Sequence, residues 1–190
     1  MNTLDNPNMI DPSTVPYAKK AFTQGLIASL ILIALNLLLS ITGLVKPGDT
    51  GAMTWISNIL IWGLIAYFIY AAQTSHRDED LGGYISYGRA FSVGGIVVLA
   101  ITLITIVWSY IYFSFIDPDI FNTIRETSME QMINQQGMSE EEAENAMEMM
   151  SFMWNPGMMS IFAGIGTVVA GLIIDLIVSA VVKRDNPAFA

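Results

Sequence analysis

Residues 158–182 read MMSIFAGIGTVVAGLIIDLIVSAVV, an apolar run with a single ionisable side chain, Asp175. Coiled as a helix at about 1.5 Å per residue, a run of this length exceeds the ~30 Å hydrocarbon thickness of a bilayer. A helix apolar around its whole circumference must be enclosed by lipid or by a large protein core. Three similar runs precede it, near 21–45, 52–72 and 88–116. Each supplies the roughly 20 residues that a span requires. Backbone polar groups inside hydrocarbon have to be paired within the segment, which selects helices. The expected fold class is an all-α membrane protein with four transmembrane helices.

Composition points the same way. Of 190 residues, 53% are hydrophobic and 13% charged, about half the charged share of a soluble domain. The chain has no cysteine, which excludes disulfides, thiolate metal sites and a catalytic thiol. The run at 21–45 follows Lys19 and Lys20, the flank of a secretory leader. It is far longer than the apolar region of such a leader, and no small-residue cleavage site closes it, so it reads as a retained anchor. Residues 1–20, with three prolines, read as a disordered cytoplasmic tail. A membrane domain at 21–182 and a short polar tail at 183–190 complete the organisation. The connection Lys46-Pro47-Gly48-Asp49-Thr50-Gly51 is a turn that makes the first two helices antiparallel neighbours.

The net charge of −9 is unevenly distributed. Nine acids lie between Asp117 and Gly157, against a single base, Arg125. The acidity belongs to that one segment and argues against nucleic acid as a partner. Within it, Ser139-Glu140-Glu141-Glu142 has the form of a capping box, and Gly137 is suited to end a preceding helix. The segment 117–157 is therefore expected to form an extramembrane amphipathic helical hairpin, near 118–135 and 139–153, between helices 3 and 4. Ala143, Ala146, Met147, Met150, Met153 and Trp154 share one face of its second helix, and Glu141, Glu144 and Glu148 the opposite one. On the first helix Phe121, Ile124, Ser128 and Met132 follow helical spacing.

Orientation is read from the bases. Lys19, Lys20, Arg77, Arg89, Lys183 and Arg184 fall on one side, Lys46 and Arg125 on the other. This bias places the first side, with both termini, in the cytoplasm. Tyr17, Tyr67, Tyr70, Tyr84 and Tyr87 then form an inner aromatic belt, and Trp55, Trp108, Tyr110, Tyr112 and Trp154 an outer one. Trp62 lies mid-span and belongs to neither.

Asp175 is the one acid well inside a predicted span. Ser160, Gly164, Thr167, Gly171, Asp175 and Ser179 share a third of the helix circumference, so Asp175 faces protein. Insertion costs about 2.5 to 3.5 kcal/mol for a central Asp, offset by roughly 4 to 8 kcal/mol from the Leu, Ile, Val and Phe side chains of the run. Two readings follow: a proton or cation site, or a protonated or hydrogen-bonded Asp that joins helices, reached by Arg89 from the inner boundary. Gly25, Ser29, Asn36, Ser40 and Gly43 form a matching seam on the first helix, interrupted by Leu32, which reads as close helix packing. Asn36 requires a partner because an amide in lipid does. The candidate intramembrane polar site is thus Asp175, Asn36, Ser29 and Thr167. His76, beside Arg77 and Asp78, reads as a solvated loop residue. Nine of the twelve methionines lie between 129 and 159; copper(I) binding is conceivable, but adaptable apolar packing accounts for them.

The run Leu81-Gly82-Gly83-Tyr84-Ile85-Ser86-Tyr87-Gly88-Arg89-Ala90-Phe91 lacks phosphate-loop spacing and follows no strand. It reads as a turn leading to a helix with Ser86 as N-cap. Gly82, Gly83, Tyr84, Ser86, Tyr87 and Arg89 form a candidate interfacial motif, with Arg89 contacting structure or lipid headgroups. This run resembles the hallmark of the bacterial membrane proteins grouped as domain of unknown function 4199. Gly137-Met138-Ser139-Glu140-Glu141, then Asn155-Pro156, and a last helix ending in Lys183-Arg184 match the same family's order of parts. The resemblance implies a multi-pass protein of the Gram-negative cytoplasmic (inner) membrane and no established activity. Family members usually carry a small or hydroxylated residue where this chain has Asp175, so a role for Asp175 would be particular to this protein.

No nucleophile–base pair or metal-ligand set is visible, so no enzyme, cofactor or metal is expected. The first functional expectation is a non-enzymatic membrane protein acting through lipid or protein contacts, including a second copy or another membrane protein. The alternative is a small oligomeric proton- or cation-linked transporter or channel subunit using Asp175.

Overall fold

The computed structural model describes residues 11–45 and 51–185. Among these residues the chain is helical, with no strand. The order is α1 (Ala18–Ile41), α2 (Ala52–Ser75), α3 (Tyr87–Ile111), α4 (Ile120–Asn134), α5 (Glu140–Met149) and α6 (Pro156–Val182). Helices α1, α2, α3 and α6, with the π-turns that extend α2 to Asp80 and α3 to Ile116, are long and apolar enough to cross a membrane. At about 1.5 Å per residue each exceeds 30 Å.

The bundle is built around α3, which packs on α1 and on α6. Ala90, Val93, Gly94, Val97, Val98, Ala100, Ile101 and Thr102 are buried along it. Small residues set these approaches. A Cβ on Gly25 of α1 would meet Val97 and Ala100, and one on Gly171 of α6 would meet Val98. The opposite faces stay apolar and open: Leu30 is 66% exposed, Ile59 69% and Ile173 54%. Such a belt is stable when lipid, not water, surrounds it. On α6 Ser160, Gly164, Gly171, Asp175 and Ser179 are buried, Thr167 is half-buried, and Phe162, Ile165, Val169, Ile173 and Leu176 are exposed, while Leu172 packs against the core.

The element bounds shift from the sequence reading in three places. Helix α1 starts at Ala18, so Lys19 and Lys20 lie within it, and it ends at Ile41. The expected tail is ordered from Asp11: Pro12–Thr14 form a 3-10 turn in which Asp11 accepts from Ser13 N. Helix α2 runs past residue 72 to Ser75 and continues as a π-turn over His76–Asp80. The turn at Lys46–Thr50 and the tail segments 1–10 and 186–190 lie outside the described residues.

Gly82 and Gly83 turn the chain from α2 to α3 with φ of +68° and +94°, which L side chains seldom adopt. Ile85 and Arg184 then exchange two backbone hydrogen bonds of 3.0 and 2.9 Å. They tie the start of α3 to the end of α6. Ser86 caps α3, its Oγ accepting from Arg89 N.

Helices α4 and α5 pack on each other. Ser139 and Glu142 form the complete capping box of α5. Ala143 and Met147 are buried on the inward face, and Glu141, Glu144 and Glu148 are exposed. Asn155 caps α6, with Pro156 in its first turn.

Candidate functional site

The polar residues of the bundle separate into three groups. The first surrounds Asp175. Its side chain is fully buried, and Oδ1 accepts from Gln73 Nε2 at 2.7 Å and from Ser179 Oγ at 3.1 Å. Gln73 Nε2 also donates to Ser179 Oγ at 2.9 Å. The cluster therefore links α2 to α6. It rests on α3 at Gly94, where a Cβ would collide with the Asp175 carboxyl and the Gln73 amide. Among the described residues, Asp175 Oδ2 and Gln73 Oε1 are buried without a hydrogen-bond partner.

The second group lies one turn nearer the end of the bundle that carries the termini. His76 is 1% exposed, which corrects its reading as a solvated loop residue: α2 continues through it and buries it. Arg89 Nε donates to His76 Nε2 at 3.2 Å. An arginine cannot accept, so Nε2 is the acceptor and the Nδ1 proton is directed at Asp80 Oδ2, 2.9 Å away. Lys20 Nζ bridges Asp80 Oδ2 at 3.2 Å and Glu79 Oε2 at 2.8 Å. Arg89, which the sequence offers as a partner for Asp175, turns instead to His76, to the carbonyl of Val15 and to the Tyr17 ring, 4.1 Å from the ring centre. The guanidinium thus secures the segment before α1 against α2 and α3. Tyr87 Oη donates to Leu176 O at 3.4 Å.

The third group lines a cavity of about 480 Å³ between α1, α2 and α3, toward the end carrying α4. Asn36, Ser29 and Thr167, grouped with Asp175 in the sequence, belong here. Gln73, Asp175 and Ser179 take no part in its lining. The α1 seam explains the separation. Its Gly25–Ser29 half is buried against α3, whereas Asn36 and Ser40 face the cavity. Trp62 forms part of the same wall.

The sequence reading ends the second run near residue 72, which leaves Gln73 outside it, and takes His76 for a loop residue. Ile65, Phe68, Ile69, Ala72, Gln73 and His76 are all buried, at the spacing of one helical face. Extending that period past residue 72 would have found them.

The family model described as "Protein of unknown function (DUF4199)" matches residues 23–184. The chain belongs to the DUF4199 family. No curated protein and no solved structure matches it. In this DUF4199 protein the glycine-serine run forms the turn before α3. Its arginine, Arg89, is the hub of the second group.

Proposed function

We propose that this DUF4199 protein is a non-enzymatic, multi-pass protein of the bacterial cytoplasmic membrane that acts through contacts with lipid or another membrane protein. In this reading both termini are cytoplasmic, and α4 with α5 forms an extramembrane hairpin on the outer side. One observation carries it. The buried acid is bonded to its own neighbours Gln73 and Ser179 and is separate from the cavity. The surfaces left for recognition are the uncharged cavity and the acidic hairpin. Deleting residues 118–153 is expected to abolish crosslinking of a partner in the native membrane. An unchanged crosslinking pattern contradicts the protein-contact part of the proposal.

A second reading is favoured by the two oxygens that lack a partner among the described residues, Asp175 Oδ2 and Gln73 Oε1. A proton or small cation taken up at either would serve an oligomeric transporter or channel subunit. Flux of protons or sodium into liposomes, lost in Asp175→Asn, supports this reading. Absence of flux in the unmodified protein ends it.

A further inference from the structure

We infer that the cavity between α1, α2 and α3 is a binding site for an uncharged amphiphile, one acyl chain carrying a hydroxylated head, as in a monoacylglycerol. The inference rests on the lipid-contact reading above and names the lipid class.

Charge is the first argument. Among the described residues, no Asp, Glu, Lys, Arg or His lines the cavity. A phosphate or carboxylate head entering it would lose hydration with no counter-charge to meet it. An uncharged head loses far less.

The second argument is the layering of the walls. Asn36 lies five residues before the end of α1 and Asn58 six after the start of α2. At 1.5 Å per residue both sit about 8–9 Å in from those helix ends. They form a polar level contributed by two helices. Leu32, Trp62, Ile65 and Ile101 form an apolar floor, with Thr105 beside it. Ser29 and Thr167 also line the cavity, and both hydroxyls are already occupied by their own helices. Ser29 Oγ donates to Gly25 O at 2.7 Å and Thr167 Oγ1 to Ala163 O at 2.8 Å. The floor is thus suited to a hydrocarbon chain.

The third argument is the state of the polar level. Asn36 and Asn58 line the cavity, are exposed and make no hydrogen bond to the described residues. Thr54 Oγ1, in the same wall, is buried without a partner among them. Amides at hydrocarbon depth require partners. Glycerol hydroxyls and an ester carbonyl offer both donors and acceptors at that level. The volume of about 480 Å³ lies within the ~300–1,000 Å³ range of small-molecule sites. Ile120 and Ile124 bring α4 to the rim, so the hairpin borders the entrance.

The test uses the full chain in nanodiscs of phosphatidylethanolamine and phosphatidylglycerol. The probe is monooleoylglycerol with a photoreactive diazirine in its chain. Labelling is expected on the floor, at Leu32, Trp62, Ile65 or Ile101. It is expected to saturate and to be displaced by unlabelled monooleoylglycerol, but not by oleate or lysophosphatidylglycerol. Asn36→Leu with Asn58→Leu removes two hydrogen-bonding groups and is expected to weaken labelling by about tenfold or more. Should that variant fail to assemble, Leu32→Trp, which fills the floor, replaces it with the same expectation. Non-saturating labels spread over Leu30, Ile59 and Ile173 overturn the inference. So do equal displacement by oleate and the absence of any floor label, the result for a cavity holding water alone. Partner crosslinking in the 118–153 deletion is scored separately. Its loss without saturable labelling retains the contact reading and removes this ligand.

Discussion

Gln73 and Asp175 stand 102 residues apart in sequence and share a 2.7 Å hydrogen bond in the buried contact of α2 with α6. The bond joins two helices whose outer faces are apolar. In a membrane, where apolar burial supplies little association energy between helices, such bonds and close packing hold a bundle together.

Replacing Gln73 by Leu is therefore expected to destabilise the bundle by about 1–2 kcal/mol. The change removes one of the two donors to Asp175 Oδ1 and one partner of Ser179. A double-mutant cycle of Gln73→Leu with Asp175→Leu, read by denaturant unfolding in detergent, should give a coupling of similar size. Additive effects would show that the bond contributes nothing.

Gly94 and Gly95 form a matched pair. A Cβ on Gly94 overlaps the Asp175 carboxyl and approaches the Gln73 amide, whereas one on Gly95 would lie 3.9 Å from Asp175 Oδ2. Gly94→Ala is expected to cost about 1–3 kcal/mol through overpacking. Gly95→Ala should be neutral or stabilising, since Ala is the better helix former by about 1 kcal/mol. Equal unfolding midpoints for the two variants would contradict the packing described.

Much of this arrangement was legible in the sequence. Helix length follows from apolar run length, and the buried face of α6 from the spacing of Ser160, Gly164, Gly171, Asp175 and Ser179. The capping box at Ser139 and the turn at Gly82-Gly83 are local devices that need no tertiary information. The partner of Asp175 was not legible, because the charges from His76 to Asp80 suggested a loop where α2 in fact continues. The grouping of Asn36 with Asp175 also failed. Shared polarity says nothing of depth, and α1 meets α3 closely at Gly25 while Asn36 faces the cavity.

Arg89 fastens the segment before α1 through His76, the Val15 carbonyl and the Tyr17 ring. Arg89→Lys keeps the charge and loses the planar fork that makes these contacts together. Limited proteolysis between residues 11 and 17 is expected to accelerate several-fold in this variant, with the helices intact by circular dichroism. An unchanged cleavage rate would show that the segment is held by other contacts.

Acid should loosen the start of α5. Hydrogen bonds from Ser139 hold the Glu142 carboxyl below its ordinary value of 4.5. Because that value is lowered on folding, the contribution to stability is complete above about 4.5 and is lost as pH falls through the folded value. Amide exchange in the first turn of α5 is expected to quicken over that acid range. Glu142→Gln, which keeps a capping side chain without a titrating group, should flatten the dependence. Identical pH profiles for the two proteins would rule the capping carboxyl out as the cause.

The account depends most on four membrane crossings with both termini inside. The chain has no cysteine, so single cysteines can report sidedness without a background. Ser13→Cys, Ser139→Cys and Asp185→Cys are to be treated with a membrane-impermeant maleimide in intact and in lysed cells. The account predicts that the position at 139 reacts in intact cells and that those at 13 and 185 react after lysis alone. Labelling of position 185 in intact cells, or protection of position 139 there, would contradict it.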